Sequence, residues 1–172
     1  MDINNMNLCP SCFSEMTSEP CRVCGYAYGS ISRYPVALPM ETILMGRYLI
    51  GKVLGKGGFG ITYLAYDLHH NKKVAIKEYL PDNLIHRNVG KSEVSVYDGE
   101  KGAAFSKGAE KFFEEAETVS RFNGHPNIIN VYEFFYENNT AYFVMEYLNG
   151  IDLKSYIMDN GGNISEERTK EL

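Results

Sequence analysis

The 172 residues are 44% hydrophobic and 13% aromatic, enough to bury the core of one ordinary domain beside a small appendage. The net charge is −5 and the longest basic run is Lys72-Lys73, which excludes a basic face for nucleic acid, while 23% charged residues argue against general disorder. No apolar run reaches the roughly 18–20 residues of a membrane helix, and MDINNMNLCP lacks the basic and apolar stretches of a signal peptide; the expectation is a cytoplasmic protein with no membrane segment here.

All four cysteines lie within the first 24 residues, as Cys9-Pro-Ser-Cys12 and Cys21-Arg-Val-Cys24. Two C-x-x-C turns can aim four thiolates at one tetrahedral ion, the closed set of a structural zinc site. The competing readings are a redox C-x-x-C, which belongs at a strand–helix junction not seen here, and two local disulfides, which a reducing compartment disfavours. Pro10 stiffens the first turn, Gly25 relaxes the backbone after the second, and the short spacer Phe13–Pro20 demands a tight hairpin. The element, residues 1–28, resembles a zinc ribbon binding Zn2+ through Cys9, Cys12, Cys21 and Cys24, with the metal supplying stability that so short a segment cannot draw from a core. Its acidic surroundings suit a structural or protein-contact role rather than nucleic-acid reading.

Residues 29–45 carry Pro35 and Pro39 without a clear period and read as a linker. Tyr48–Leu54 is β-rich and runs into Gly55-Lys-Gly-Gly-Phe-Gly60, a G-x-G-x-x-G spacing that is weak alone. Ile61-Thr-Tyr-Leu-Ala-Tyr66 then continues as a strand, whereas a dinucleotide loop must open a helix and a Walker loop needs Gly-Lys-Ser/Thr. The glycines therefore turn a β-hairpin. A third strand, Lys72–Glu78, contains Val74-Ala-Ile-Lys77. Further on come the helical Phe112-Phe-Glu-Glu-Ala116, then His125-Pro-Asn-Ile128, and Tyr142-Phe-Val-Met-Glu-Tyr-Leu148 with Gly150 and Asp152.

A glycine-rich hairpin followed by V-A-I-K and these pieces in this order resembles the N-terminal lobe of a protein kinase, in the style of bacterial Ser/Thr kinases. The match runs from about Gly46 to the C-terminus, so 46–172 reads as the N-lobe, the hinge and the start of the large lobe. The resemblance implies an α+β fold: a five-stranded antiparallel sheet near 48–54, 60–67, 72–79, 128–137 and 140–147, with one main helix. It also implies ATP binding. Backbone of Gly55, Lys56, Gly57, Gly58, Phe59 and Gly60 would wrap the phosphates; Thr62 and Ala75 would pack on the purine. Lys77 would meet the α- and β-phosphates, Met145 would stand as gatekeeper, backbone of Glu146 and Leu148 would bond the purine, and Asp152 would contact the ribose. Asp152 fits equally well as the N-cap of a helix over Leu153–Met158.

The glutamate that orients Lys77 should come from the helix. At 100° per residue from Phe112, Glu114 points to solvent, whereas Glu115 and Glu117 both border the buried face. The family register, glutamate directly before alanine, selects Glu115. Two features depart from the pattern: Thr62 replaces the usual valine, and Leu80–Ala104 is inserted, with Ser92–Tyr97 shaped like an added hairpin. His125 reads as a turn anchor and His69-His70 as an exposed turn.

No H-R-D-x-x-x-x-N and no D-F-G occurs in the 172 residues, and His86-Arg87-Asn88 only imitates the first. The expectation is a truncated chain, inactive alone, whose parent is an ATP- and Mg2+-dependent Ser/Thr kinase acting on a protein substrate. The magnesium ligands would lie outside these residues. The alternative is a nucleotide-binding pseudokinase or scaffold module. A lobe underside without its large lobe implies self-association.

Overall fold

Strand order follows from three long β-branched and aromatic runs joined by tight turns. The computed structural model describes residues 7–30 and 33–171; positions 1–6, 31–32 and 172, parts of the expected ribbon, linker and large-lobe segments, lie outside the described residues. In chain order the elements are β1 (Ile43–Leu44), β2 (Tyr48–Gly57), β3 (Gly60–Asp67), β4 (Lys72–Tyr79), β5 (Ile85–His86), β6 (Ser95–Val96), α1 (Glu100–Ser120), β7 (Val131–Glu137), β8 (Thr140–Glu146), α2 (Leu153–Asp159) and α3 (Glu166–Glu171). The main sheet is antiparallel in the order β1-β2-β3-β4-β8-β7. All five expected strands are present, and the two-residue β1 adds a sixth by pairing Ile43 with Leu49 and Leu44 with Tyr48.

The stretch expected as a linker does more than connect. Besides β1, it contributes buried Ala37 and Leu38 to the main core. Within the expected insertion β5 pairs with β6, Ile85 opposite Val96, so the hairpin expected within Ser92–Tyr97 has only its second strand there. Glu100–Ala104 belongs to α1 instead, because Gly99 at φ 67° breaks the extended chain just before it.

Cross-strand register sorts side chains between the two sheet faces. Thr62, Lys77 and Phe143 form one rung, and Ile61, Glu78 and Tyr142 the next, facing the opposite way. The Lys77 face receives α1 through buried Phe105, Ala109, Phe112 and Ala116; Phe113 and Val119, expected on the same helical stripe, are only half-buried. Phe112 lies 4.9 Å from the Phe143 ring and 5.5 Å from Tyr79. The Glu78 face is closed by Arg87, from the stretch between β4 and α1, and by the segment around Val36. The aromatic stripe of β7 divides: Val131 and Phe135 enter the core, while Tyr132, Phe134 and Tyr136 stay exposed. At the end of β3, buried Asp67 binds Arg47 through two oxygens, with Nη2 at 2.7 Å, and caps the His69-His70 turn through both backbone N–H groups.

The cysteine-bearing element docks on the edge and Lys77 face of β2 and β3. Ser11 O accepts from Lys52 N–H at 3.0 Å, so the element continues the hydrogen bonding that β1 begins. Phe13 packs with Leu49 and Leu64, 5.6 Å from the Tyr66 ring, and Tyr147 borders the same cluster. A Cβ at Gly51 would meet Ser11 O at 2.6 Å and the Phe13 ring at 2.7 Å. Gly51→Val is therefore expected to push this element off the sheet and destabilise the protein by about 1–3 kcal/mol. Chemical denaturation, with proteolysis of the first 30 residues as a local probe, checks it.

Candidate nucleotide site and cysteine cluster

The glycine stretch is the expected hairpin: Gly57 pairs with Gly60 across a turn at Gly58-Phe59. Gly55 to Phe59 are exposed, with Phe59 at 74%. Only Gly60 is buried. It has φ 152°, and a Cβ there would fall 1.8 Å from Glu78 O, so the hairpin closes against the backbone of β4 where any other residue would collide. Phe59 O accepts from Leu80 N–H at 3.1 Å, and Lys56 pairs with Asp82 at 2.8 Å, holding the turn over the start of the inserted stretch.

Beside this hairpin the sheet aligns Thr62 with Lys77, and Leu64 with Ala75 and Met145. Thr62 is half-buried, so its hydroxyl escapes the demand for a partner that full burial imposes. Lys77 Nζ lies 5.7 Å from the Phe112 ring centre and 5.5 Å from that of Phe143. Among the described residues no carboxylate forms an ion pair with it. Glu115 and Glu114 are exposed, and Glu117 pairs with Arg121 at 3.4 Å. The structure thus brings Thr62, Ala75, Lys77 and Met145 together and leaves Glu115 apart from them.

At the expected hinge, Glu146 N–H is engaged by Asn130 O at 2.8 Å, and its side chain by Asn130 Nδ2 at 2.8 Å. Leu148 is exposed, and its N–H makes no backbone hydrogen bond among the described residues. Asp152 caps α2, accepting from Ser155 N–H at 3.0 Å and Ser155 Oγ at 2.7 Å. The Ser155 N–H, then its hydroxyl, hold the carboxyl below its usual value. His125 anchors its turn by accepting from Asn127 N–H.

The four cysteines converge. Cys9 Sγ lies 3.7 Å from Cys24 Sγ, Cys12 Sγ lies 3.9 Å from Cys21 Sγ, all four lie within 4.8 Å of one another, and none is in a disulfide. Ligands about 2.3 Å from a tetrahedral ion stand about 3.8 Å apart, so the cluster fits zinc. The two turns are built alike: Phe13 N–H bonds Cys9 O, and Gly25 N–H bonds Cys21 O. The residue after each second cysteine is left-handed, at φ 54° for Phe13 and 73° for Gly25. Backbone N–H groups of Cys24 and Val23 draw the Cys21 thiol down to about 7, while burial pushes Cys9 up to about 12.

Sequence reasoning passed over three residues at the heart of this arrangement. Glu78, a carboxylate between Lys77 and the apolar Tyr79-Leu80, is the visible signal; its partner Arg87 sits in the triplet that imitates another motif. Phe13 in the glycine-favouring position of a cysteine turn was the third.

Residues 48–172 match the family described as protein kinase domain, and the chain belongs to that family. It is 34% identical over 122 residues to the serine/threonine-protein kinase PrkC of Bacillus subtilis (strain 168), covering 69% of this chain and 15% of that protein. It is 31% identical over 137 residues to the serine/threonine-protein kinase PknD of Protochlamydia amoebophila (strain UWE25), covering 80% of this chain and 11% of that protein. Among solved structures, the PpkA-294 apo form is similar with a TM-score of 0.72 and 33% identity, over 80% of this chain and 48% of that one. The chain thus spans under half of that structure and a far smaller part of the two curated relatives. It carries protein kinase domain sequence of the Ser/Thr type, and no helix among the described residues is long and apolar enough to cross a membrane.

Gly60→Ala is expected to cost about 1–3 kcal/mol or more through its clash with Glu78 O. Gly57→Ala and Gly58→Ala, where an added Cβ meets nothing within 4 Å, should stay within about 1 kcal/mol. Denaturation midpoints of the three variants check this ranking.

Proposed function

We propose that these residues form the ATP-binding part of a Ser/Thr protein kinase that transfers the γ-phosphate of ATP to protein hydroxyls. The observation that carries the reading is the alignment of the glycine hairpin, Thr62, Ala75, Lys77 and Met145 on one sheet face, ending where Leu148 N–H makes no backbone hydrogen bond among the described residues. In this reading, backbone N–H groups at Gly55–Gly60 approach the phosphates because no Cβ intervenes. Lys77 Nζ neutralises the α- and β-phosphate oxygens, and Glu115 orients it. Ala75, Thr62 and Met145 line the purine, Glu146 C=O accepts from it, and Leu148 N–H donates to it. Asp152 retains acceptor capacity for a ribose hydroxyl while it caps α2.

In this reading none of the 172 residues serves as proton acceptor or magnesium ligand, since no H-R-D-x-x-x-x-N and no D-F-G occurs among them. The organisation is a ribbon over 1–28, a connecting segment over 29–45 and the kinase lobe, hinge and large-lobe start over 46–172, in a cytoplasmic protein. The lobe underside near the hinge, where Leu148, Ile151 and Leu153 are exposed, suits self-association. Residues 9–24 hold one Zn2+, whose role is to fix the ribbon's fold.

Three measurements test this. Protein purified without added metal should contain about one zinc per chain, and disulfides without metal would refute the site. The 172-residue chain should show no autophosphorylation and weak ATP affinity; measurable phosphoryl transfer by the pure chain defeats that expectation. In the full-length protein, Lys77→Met and Glu115→Gln should each lower the phosphorylation rate severely, while Glu114→Gln and Glu117→Gln leave it nearly intact. The reverse ranking of the glutamates would place the orienting residue elsewhere on α1.

A further inference from the structure

The sheet face turned away from the nucleotide buries a charged pair that the reading above does not use. Glu78 is 0% and Arg87 5% exposed. Glu78 Oε1 accepts from Tyr142 Oη at 2.7 Å and from Arg87 Nη2; Oε2 accepts from Tyr63 Oη at 2.7 Å and Arg87 Nη1 at 3.0 Å. Arg87 Nη1 also donates to Val36 O at 3.0 Å, and Leu38 N–H to Tyr63 Oη at 3.0 Å. Burial, reinforced by the Glu78 charge, pushes both tyrosine hydroxyls upward. Burial opposes charge on Arg87, and its bonds to Glu78 outweigh that and keep it protonated.

Stability alone is a poor account of such a pair, because apolar residues of similar volume usually do as well or better. Its location says more. Glu78 follows Lys77, and its tyrosine donors come from the strands on either side, β3 and β8. The pair therefore ties β4 to both neighbours at the rung adjoining Thr62, Lys77 and Phe143. A one-residue slip there would turn Lys77 to the wrong face and carry Glu78 into the nucleotide side. The backbone carbonyl of Glu78 is also the surface against which Gly60 closes the glycine hairpin.

We infer that Glu78 and Arg87 are positioning residues for the nucleotide site, fixing Lys77 and the glycine hairpin together, and that the stretch between β4 and α1 serves to deliver Arg87. The inference rests on the nucleotide-binding reading above. Its test uses the full-length protein, with Mg-ADP affinity by calorimetry, KM for ATP against kcat, and hydrogen exchange at residues 55–60 without nucleotide.

The double variant Glu78→Leu with Arg87→Leu, checked for fold by circular dichroism, should lose roughly tenfold to a hundredfold in nucleotide affinity. Its hairpin should also exchange faster. Arg87→Met leaves a lone buried carboxylate, so its affinity loss should exceed that of the double variant. A folded double variant with unchanged affinity and unchanged exchange overturns the inference. If the double variant fails to fold, Arg87→Lys decides: it keeps the charge and loses the two-pronged contact, and unchanged affinity again overturns it. If the unaltered protein binds no nucleotide, the nucleotide reading fails, and hairpin exchange alone decides the role of the pair.

Discussion

Glu78 is a carboxylate in the middle of a sheet with no path to water, and the outer half of the molecule is organised around making that tolerable. Removing an ion from water costs several kcal/mol even after relaxation, and an unpaired buried charge is not sustained. Four donor atoms from Tyr63, Tyr142 and Arg87 meet it. Arg87 can arrive only because the chain between β4 and α1 folds back over the sheet through β5 and β6, seating Ile85 and Val94 in the core. Its remaining reach to Val36 O then draws in the segment that follows the ribbon, which seats Ala37 and Leu38 beside them. One charge thus accounts for the closure of a whole face.

The opposite face is shaped by Phe13. A bulky side chain at φ 54° sits in a backbone region that costs of order 1–3 kcal/mol outside glycine. The second cysteine turn avoids that cost with Gly25. The first offsets it by burying the phenyl ring against Leu49, Leu64 and Gly51, a gain of about 1.5–3 kcal/mol. The two magnitudes nearly cancel. Phe13 therefore secures attachment rather than stability: it converts a freestanding cysteine hairpin into a wedge fixed under β2 and β3, beside Tyr147 of the hinge. In the zinc reading proposed above, so small a hairpin would owe its fold to the metal, and the wedge would persist only while the four thiolates are held together.

Much of this was legible in the residues. β-branched and aromatic runs with tight turns gave the first three main strands, the kinase resemblance added the last two within a few positions, and helical periodicity gave the buried face of α1. Local chemistry carried those readings, since each depends on neighbours in sequence. The cysteine cluster was equally local. What stayed hidden depends on contacts across long separations. Arg87 in His86-Arg87-Asn88 looks like a surface arginine until β5 turns it onto Glu78, and Leu38 looks like linker until Tyr63 meets its N–H. Asp152 satisfied its local reading as a helix cap, and that is the contact the fold displays.

The position of Lys77 also separates what the sheet decides from what the helix decides. Register fixes the lysine on the face that carries Ala75 and Met145, whatever α1 does. Its present neighbours are the rings of Phe112 and Phe143, whose faces attract a cation by about 0.5–2 kcal/mol depending on solvation. Phe112 holds that place because it is packed on Tyr79 and Phe143, and Tyr79 in turn fills the space over Gly108. Glu115 lies about 60° around the helix from Phe112. Bringing its carboxylate inward requires α1 to rotate by a comparable angle, drawing Phe112 away from Phe143. Phe143, carried by β8, stays beside Lys77 in both arrangements, and the orientation of α1 decides whether Phe112 or a carboxylate approaches the lysine from the helix. Aromatic packing favours the first. The second places a carboxylate beside Lys77, where phosphate oxygens would share the same ammonium, so the partner of Lys77 is set by the orientation of α1 and not by the strand that carries the lysine.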